Sequence, residues 1–148
     1  MTDASTTTAF RLVRRLAAIG HQNPSLYLLI CDATALSLIQ ADLAAELEVQ
    51  LGVGLRALAA AEIRPERLAH AFTGAGERAT LVSFNHWLPK LVSALDRNIV
   101  LLTTAGAVLL LMTQEIAERM LATAPNLRSR LTDVLTIKAD LAFGSDHA

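Results

Sequence analysis

The sequence predicts an α/β protein in which a mostly parallel sheet of about five strands lies between two layers of helices, a three-layer sandwich. Two observations support this fold class. Residues 26–31 and 107–112 are apolar throughout, without the alternation of a half-exposed strand, which is typical of parallel strands covered on both faces. Between residues 24 and 138, further strand-like runs alternate with segments whose apolar residues recur at helical spacing, as in right-handed β–α–β units.

The individual strands follow from short runs of β-branched and aliphatic residues. The predicted strands are residues 26–31, 53–60, 79–84, 107–112 and 134–137. The alanines of the second run leave a helix as an alternative there, because alanine favours helices over strands. The segment TGAGER, which begins at Thr73, is predicted to be a loop.

Helices are predicted where apolar residues recur every three or four positions between a start and a stop signal. The residues that start or stop them are Gly20, Gly52, Pro65, Leu88, Gly106, Thr113 and Pro125. The first has Phe10, Val13, Leu16 and Ala17 on its apolar face. One continuous apolar stripe predicts a single helix from residue 88 to residue 104. Thr113 is expected to cap the following helix, Pro125 to end it, and Asn126 to cap a short turn.

Length and composition bound the kind of protein. The chain has 148 residues, which suits a single domain with a core at about residues 24–138 and flexible ends at 1–8 and 139–148. Apolar residues make up 53% of the chain, so we expect some aliphatic surface to contact another protein, including a second copy of this chain. A formal net charge of −1 disfavours nucleic acid as a partner.

The single cysteine and the amino-terminal sequence indicate in which cellular compartment the protein is expected. Cys31 excludes an internal disulfide and lies in an apolar run, which predicts a buried, inert thiol in a reducing environment. The start MTDASTTTAF lacks the basic and apolar regions of a secretory signal, so a cytoplasmic location is expected. Residues 98–114 are uncharged, but their apolar part is shorter than the roughly 20 residues of a membrane span, so no membrane partner is expected.

Polar residues at the carboxyl ends of the predicted strands form the candidate crevice, because ligands of open α/β sheets bind there. These residues are Asp32, Thr34, Asn85, His86 and Thr113. A phosphate loop needs glycines and a lysine, whereas Asp32 offers a carboxylate, which we interpret as a helix cap. Neither Asn85 nor His86 supplies the carboxylate that would hold magnesium beside a nucleotide. No nucleotide, cofactor or metal is therefore expected.

The sequence contains none of the usual catalytic motifs. The four histidines are scattered singly, there is no CxxC or GxSxG, and the paired glycines neither follow a strand nor open a helix. We therefore predict no catalytic residue and no enzymatic activity.

Three segments carry a resemblance to a known family. They are SLYLLICDATALSLIQADL, ATLVSFNHWLPKLVSAL and the stretch that contains APNLRSR, residues 124–130. Over about residues 24–138, their order resembles the inactive STAND-type NTPase-like domains of bacteria. The resemblance implies a degenerate P-loop ATPase fold without working nucleotide machinery. It also implies a recognition or adaptor role in bacterial conflict or signalling systems.

The preferred hypothesis is a non-enzymatic interaction or adaptor domain. Trp87, Val100 and Leu101 are its candidate interface, because Trp87 is an aromatic anchor and the other two lie off the main stripe of their helix. The alternative is a small-ligand or nucleotide-binding protein, or an enzyme, that uses the candidate crevice.

Overall fold

A six-stranded, all-parallel sheet forms the centre of the protein and confirms the predicted α/β class. The computed structural model describes residues 5–20, 23–72, 78–104 and 106–139. The strands are β1 Ser5–Thr8, β2 Ser25–Ile30, β3 Leu55–Ala59, β4 Ala79–Ser83, β5 Ala107–Met112 and β6 Asp133–Lys138. Their order across the sheet is β1-β6-β2-β5-β4-β3. This order is neither that of Rossmann dinucleotide-binding folds nor that of flavodoxin-like folds.

In the described part of the chain, seven α-helices and three short 3-10 turns connect the strands. The helices are α1 Ala9–Ile19, α2 Leu36–Leu51, α3 Leu68–Phe72, α4 Pro89–Arg97, α5 Ile99–Thr103, α6 Gln114–Thr123 and α7 Pro125–Ser129. The 3-10 turns are Ala33–Ala35, Ala60–Glu62 and Pro65–Arg67. Within the described ranges, no helix combines the length and apolar composition that crossing a bilayer requires. The segment 73–77, predicted to be a loop, lies outside the described residues.

The two central strands account for the uninterrupted apolar runs. β2 and β5 pair in parallel from Ser25 opposite Ala107 to Ile30 opposite Met112. Every residue of both strands is buried. Helices cover both faces of the sheet, so a side chain pointing to either face enters a core.

The two cores lie on opposite faces of the sheet. On one face, α1 and α2 pack against alternate residues of the central strands, including Tyr27, Leu29 and Leu109. On the other face, α3 to α7 pack against the intervening residues, such as Leu28 and Leu110. The connections that contain α1 and α2 run across the sheet towards β3, and those that contain α3 to α7 run back towards β1. Crossovers of the same hand that run in opposite directions lie on opposite faces, so the two sets of helices are expected on different faces.

The sixth strand, β1, was not predicted. Residues 1–8 were expected to be flexible, but the structure describes Ser5–Thr8 as an edge strand parallel to β6, with Thr7 opposite Ile137. Its sequence, STTT, contains β-branched residues that favour an extended backbone but no apolar residue that would indicate a core strand. Residues 1–4 and 140–148, also expected to be flexible, lie outside the described residues.

The first helix ends at Gly20 as predicted, but its buried face is shifted. Ala9, Leu12, Val13 and Leu16 are buried. Phe10 is 45% exposed, and Ala17 is also exposed. The second helix ends at Gly52 in the left-handed conformation that glycine favours, with φ 67°.

The helix predicted from residue 88 to residue 104 is interrupted. It consists of α4 and α5, which meet at Asn98, where φ is −117° and ψ is 40°. The Asn98 side chain donates a hydrogen bond to the Ala94 carbonyl at 2.8 Å. An asparagine side chain that bonds to a nearby backbone carbonyl competes with the helical pattern, which explains the break. Thr104, and not Gly106, is the C-terminal cap of α5.

The last helical segment starts where a stop was predicted. Pro125 follows the end of α6 and is the first residue of α7, a position that suits a residue without a backbone N–H. Asn126 does not cap it, because Ala124 occupies the cap position. Instead, the Asp96 carboxylate of α4 accepts a hydrogen bond from the Leu127 backbone N–H at 2.8 Å. This contact fastens α7 to α4.

Candidate functional site

A crevice lies at the carboxyl edge of the sheet, between β2 and β5, whose following helices pack on opposite faces of the sheet. The chain leaves β2 towards α2 on one face and leaves β5 towards α6 on the other. Such a divergence between neighbouring strands is a topological switch point, where open α/β sheets bind ligands. The cavity there has a volume of about 540 Å³ and is lined by residues that follow β2 and β5 and by the end of β6.

The crevice contains two of the five predicted residues. Asp32 and Thr113 line it, whereas Thr34, Asn85 and His86 do not. Asn85 and His86 follow β4, which β5 separates from β2 in the sheet, and both are exposed to solvent. Of the predicted grouping, the crevice therefore brings together only Asp32, which follows β2, and Thr113, which follows β5.

Other polar residues of the crevice were missed. Gln114 and Glu115 at the start of α6, and Thr136 and Lys138 on β6, are further polar residues of its lining in the described part of the chain. The strand predicted at residues 134–137 included Thr136. The sequence pattern did not show that this strand pairs with β2, so Thr136 could not be placed at the crevice. Lys138 gives the crevice a cation that was not predicted to lie there.

Two backbone N–H groups in the loop after β2 already donate hydrogen bonds to carbonyl groups of the protein. The Cys31 N–H donates to the Met112 carbonyl, and the Ala35 N–H donates to the Asp32 carbonyl, each at 2.9 Å. The Asp32 side chain occupies the cap position of the 3-10 turn but makes no capping hydrogen bond, so its predicted role as a cap is wrong. Asp32 and Glu115 place two carboxylates at the crevice, and these repel a phosphate at close range.

The chemistry of Cys31 is set by its burial at the crevice. Its side chain is buried. Burial and, secondarily, the negative charge of Asp32 raise the pKa of the Cys31 thiol to about 11. The thiol therefore stays protonated at neutral pH and is a poor nucleophile, because the thiolate is the reactive species. Among the residues that the structure describes, there is no group of three or more histidine, cysteine or acidic side chains that could hold a metal ion.

We predict that native Cys31 reacts with iodoacetamide at pH 8 about 10- to 100-fold more slowly than an exposed cysteine, because both its pKa and its burial oppose attack. The rate should rise through pH 9 and 10 as the thiolate forms. Mass spectrometry of quenched samples measures the rate, and the same protein in guanidinium chloride is the control. A native titration midpoint near 8.5 would contradict the prediction.

The three residues predicted as an interface do not form one patch. Trp87 is half-buried against the core of α3 to α7, and the Arg119 guanidinium lies 4.9 Å from its ring centroid, within range of a cation–π contact. Val100 is 61% exposed, whereas Leu101 packs partly against the same core. Helix α4, which is nine residues or about 13 Å long, lies between Trp87 and the helix α5 that contains Val100.

A second concave surface lies beside β3, at the edge of the sheet. We define the β3 groove by its lining residues, 56–59, 62–64, 67, 70 and 71, which enclose about 500 Å³. The lining includes Arg56, Arg64, Arg67 and His70. An adjoining apolar hollow of about 310 Å³ shares Ile63 with it and reaches Leu88 at the start of α4.

The surface around the β3 groove is basic. Among the described residues, the groove, the apolar hollow and a third depression on α4 are together lined by five arginines or lysines and two glutamates, a formal charge of +3. The basic residues are Arg56, Arg64, Arg67, Lys90 and Arg97. The chain as a whole carries −1, so this side of the molecule differs in sign from the remainder.

No known protein-family model matches the chain, and no curated protein is significantly similar to it. The resemblance to inactive STAND-type NTPase-like domains therefore stays a prediction from the sequence.

Proposed function

We propose that this protein is a non-enzymatic interaction domain that binds another protein through the basic surface around the β3 groove. The observation that carries the proposal is the concentration of positive charge beside an apolar hollow. Charged rims around apolar patches are common at protein interfaces, and arginine is enriched there. An adaptor role in a bacterial signalling or defence system, which the sequence resemblance implies, is part of the proposal.

The chemistry of the arginines supports a macromolecular partner. Arg64 and Arg67 are exposed, and neither guanidinium group has a hydrogen-bond or ion-pair partner among the described residues. Two guanidinium groups within one concave surface repel each other modestly, and a carboxylate-bearing partner relieves that repulsion. A partner with acidic side chains would therefore gain affinity and association rate from this surface.

The test is partner capture with a charge-reversed variant. Arg64→Glu/Arg67→Glu should lose a specific partner that the parent protein retains in a pulldown from the source cell. The matched control, Arg11→Glu/Arg14→Glu, makes the same charge change at exposed positions of α1, on the opposite face of the sheet. Equal capture by the parent and both variants would contradict the proposed surface. Absence of any stoichiometric partner, together with a monomeric mass by light scattering, would contradict an interaction domain.

A ligand-binding protein or enzyme remains the second candidate, because the crevice lies at the topological switch point and contains Lys138. A thermal-shift screen with adenine and guanine nucleotides and magnesium tests it. A ligand that binds the native state raises the melting temperature by mass action. A shift that Lys138→Ala abolishes would favour this candidate, and the absence of any shift would count against its nucleotide form.

A further inference from the structure

We propose that the β3 groove binds an acidic, extended segment of a partner protein, which adds to the sheet as a strand beside β3. This inference rests on the proposed function, because it names the chemistry of the partner at the same surface. Its starting point is the position of β3 at the end of the strand order, next to β4 only. Among the described residues, one edge of β3 therefore has no strand partner.

The groove lies along the backbone of β3. It is lined by Arg56, Ala57, Leu58 and Ala59, which are four consecutive strand residues. Successive side chains of a strand point to opposite faces, so a groove confined to one face would touch only every second residue. Contact with four in a row indicates that the groove follows the strand edge, where backbone N–H and C=O groups are presented. An extended peptide pairs with such an edge.

The two faces of β3 differ in chemistry. Leu58 packs on the core of α3 to α7, and Leu55 packs on the core of α1 and α2. Strand alternation places Arg56 on the same face as Leu58, which is the side of Arg64 and Arg67 in the groove. The opposite face of β3 presents Leu55, Ala57 and Ala59. A strand added here would meet basic groups on one face and apolar groups on the other.

This asymmetry specifies the sequence pattern of the partner segment. Its acidic residues should occur at every second position, facing the arginines, and its intervening residues should be small or β-branched and apolar. Among the described residues that line the β3 groove, Glu62 is the one acidic residue, and the three arginines that outnumber it repel a partner with basic side chains. A second copy of this chain pairing β3 with β3 would bring two sets of arginines together, which like-charge repulsion disfavours.

The experiment uses a fluorescent peptide of alternating glutamate and valine and measures binding to the full chain by anisotropy. We expect Arg64→Glu/Arg67→Glu to weaken binding at least about tenfold, and Arg11→Glu/Arg14→Glu to leave it within about twofold. N-methylation of alternate backbone amides of the peptide should also weaken binding at least about tenfold, because it removes donors from the strand pairing. Circular dichroism of each variant checks that the fold is retained.

Several outcomes overturn the inference. Equal affinity for a peptide of the same composition with clustered glutamates, or for the N-methylated peptide, would show binding by charge alone. Tighter binding of polyuridine than of the peptide, lost in Arg64→Glu/Arg67→Glu, would assign the groove to nucleic acid. A dimer that dissociates in the same variant would assign it to a second copy. Absence of peptide binding, while capture of the cellular partner still depends on Arg64 and Arg67, would contradict strand addition and leave the proposed function intact.

Discussion

Replacing Phe84 with alanine should lower the free energy of unfolding by about 3–5 kcal/mol, the range for removing a large buried aromatic side chain. Phe84 follows β4, is fully buried, and packs in the core of α3 to α7. Its backbone N–H donates to the Leu111 carbonyl at 2.8 Å. The side chain therefore sits against the central strands, where the structure cannot easily close around a cavity.

Urea denaturation followed by circular dichroism measures the effect of Phe84→Ala. Domains of this size are stable by about 5–15 kcal/mol, so the variant should lose a large part of its stability. The control is Val100→Ala, which removes an apolar side chain that is 61% exposed and should change the stability by less than about 0.5 kcal/mol. Similar midpoints for the two variants would contradict the assignment of Phe84 to the core.

Replacing Asp96 with alanine should lower the free energy of unfolding by about 1–3 kcal/mol, because it leaves a backbone donor of α7 without its carboxylate acceptor. Asp96 Oδ1 accepts from the Leu127 N–H at 2.8 Å, and the Asn126 amide lies 3.4 Å from Oδ2. The contact joins α4 to the first turn of α7, which is only five residues long. A short helix depends on such tertiary contacts.

Two measurements separate this effect from a general loss of stability. Amide hydrogen exchange at Leu127 should accelerate in Asp96→Ala more than exchange in β5. Asp96→Asn keeps a neutral acceptor and should lose less stability than Asp96→Ala. Ser93→Ala, at an exposed position of the same helix, is the control for a change of helix composition. Unchanged exchange at Leu127 in Asp96→Ala would contradict the capping role.

The sequence predicted the strands that are buried on both faces and the helices that end at a residue with a strong backbone preference, such as glycine. Residues 107–112 are apolar at every position, and they form a strand with these bounds because both faces are covered. Gly52 ended a helix because few other residues adopt a positive φ there. β1 was not predicted, because an edge strand of serine and threonine has no apolar residues whose spacing could indicate a strand.

The breaks between helices and the composition of the crevice needed tertiary information. The apolar stripe through Leu95 and Leu102 is continuous in sequence, so it gave no sign that Asn98 interrupts the helix. The crevice depends on which strand ends are neighbours. β6 pairs with β2 and not with β5, the strand that precedes β6 in the chain. No local sequence pattern indicates this choice of neighbour. Lys138 was therefore missed, and Asn85 and His86 were grouped with Asp32 and Thr34, although β5 lies between β4 and β2 in the sheet.

The pairing of Thr7 with Ile137, and of Leu28 with Leu110, connects positions that are far apart along the chain. Even between β3 and β4, the described residues of the connection form α3 and two 3-10 turns. The chain must therefore close long loops before any strand gains a partner, and no hairpin can nucleate the sheet. Refolding should accordingly be slow compared with that of helical bundles, and partly paired strands exposed during that time would favour aggregation at high protein concentration.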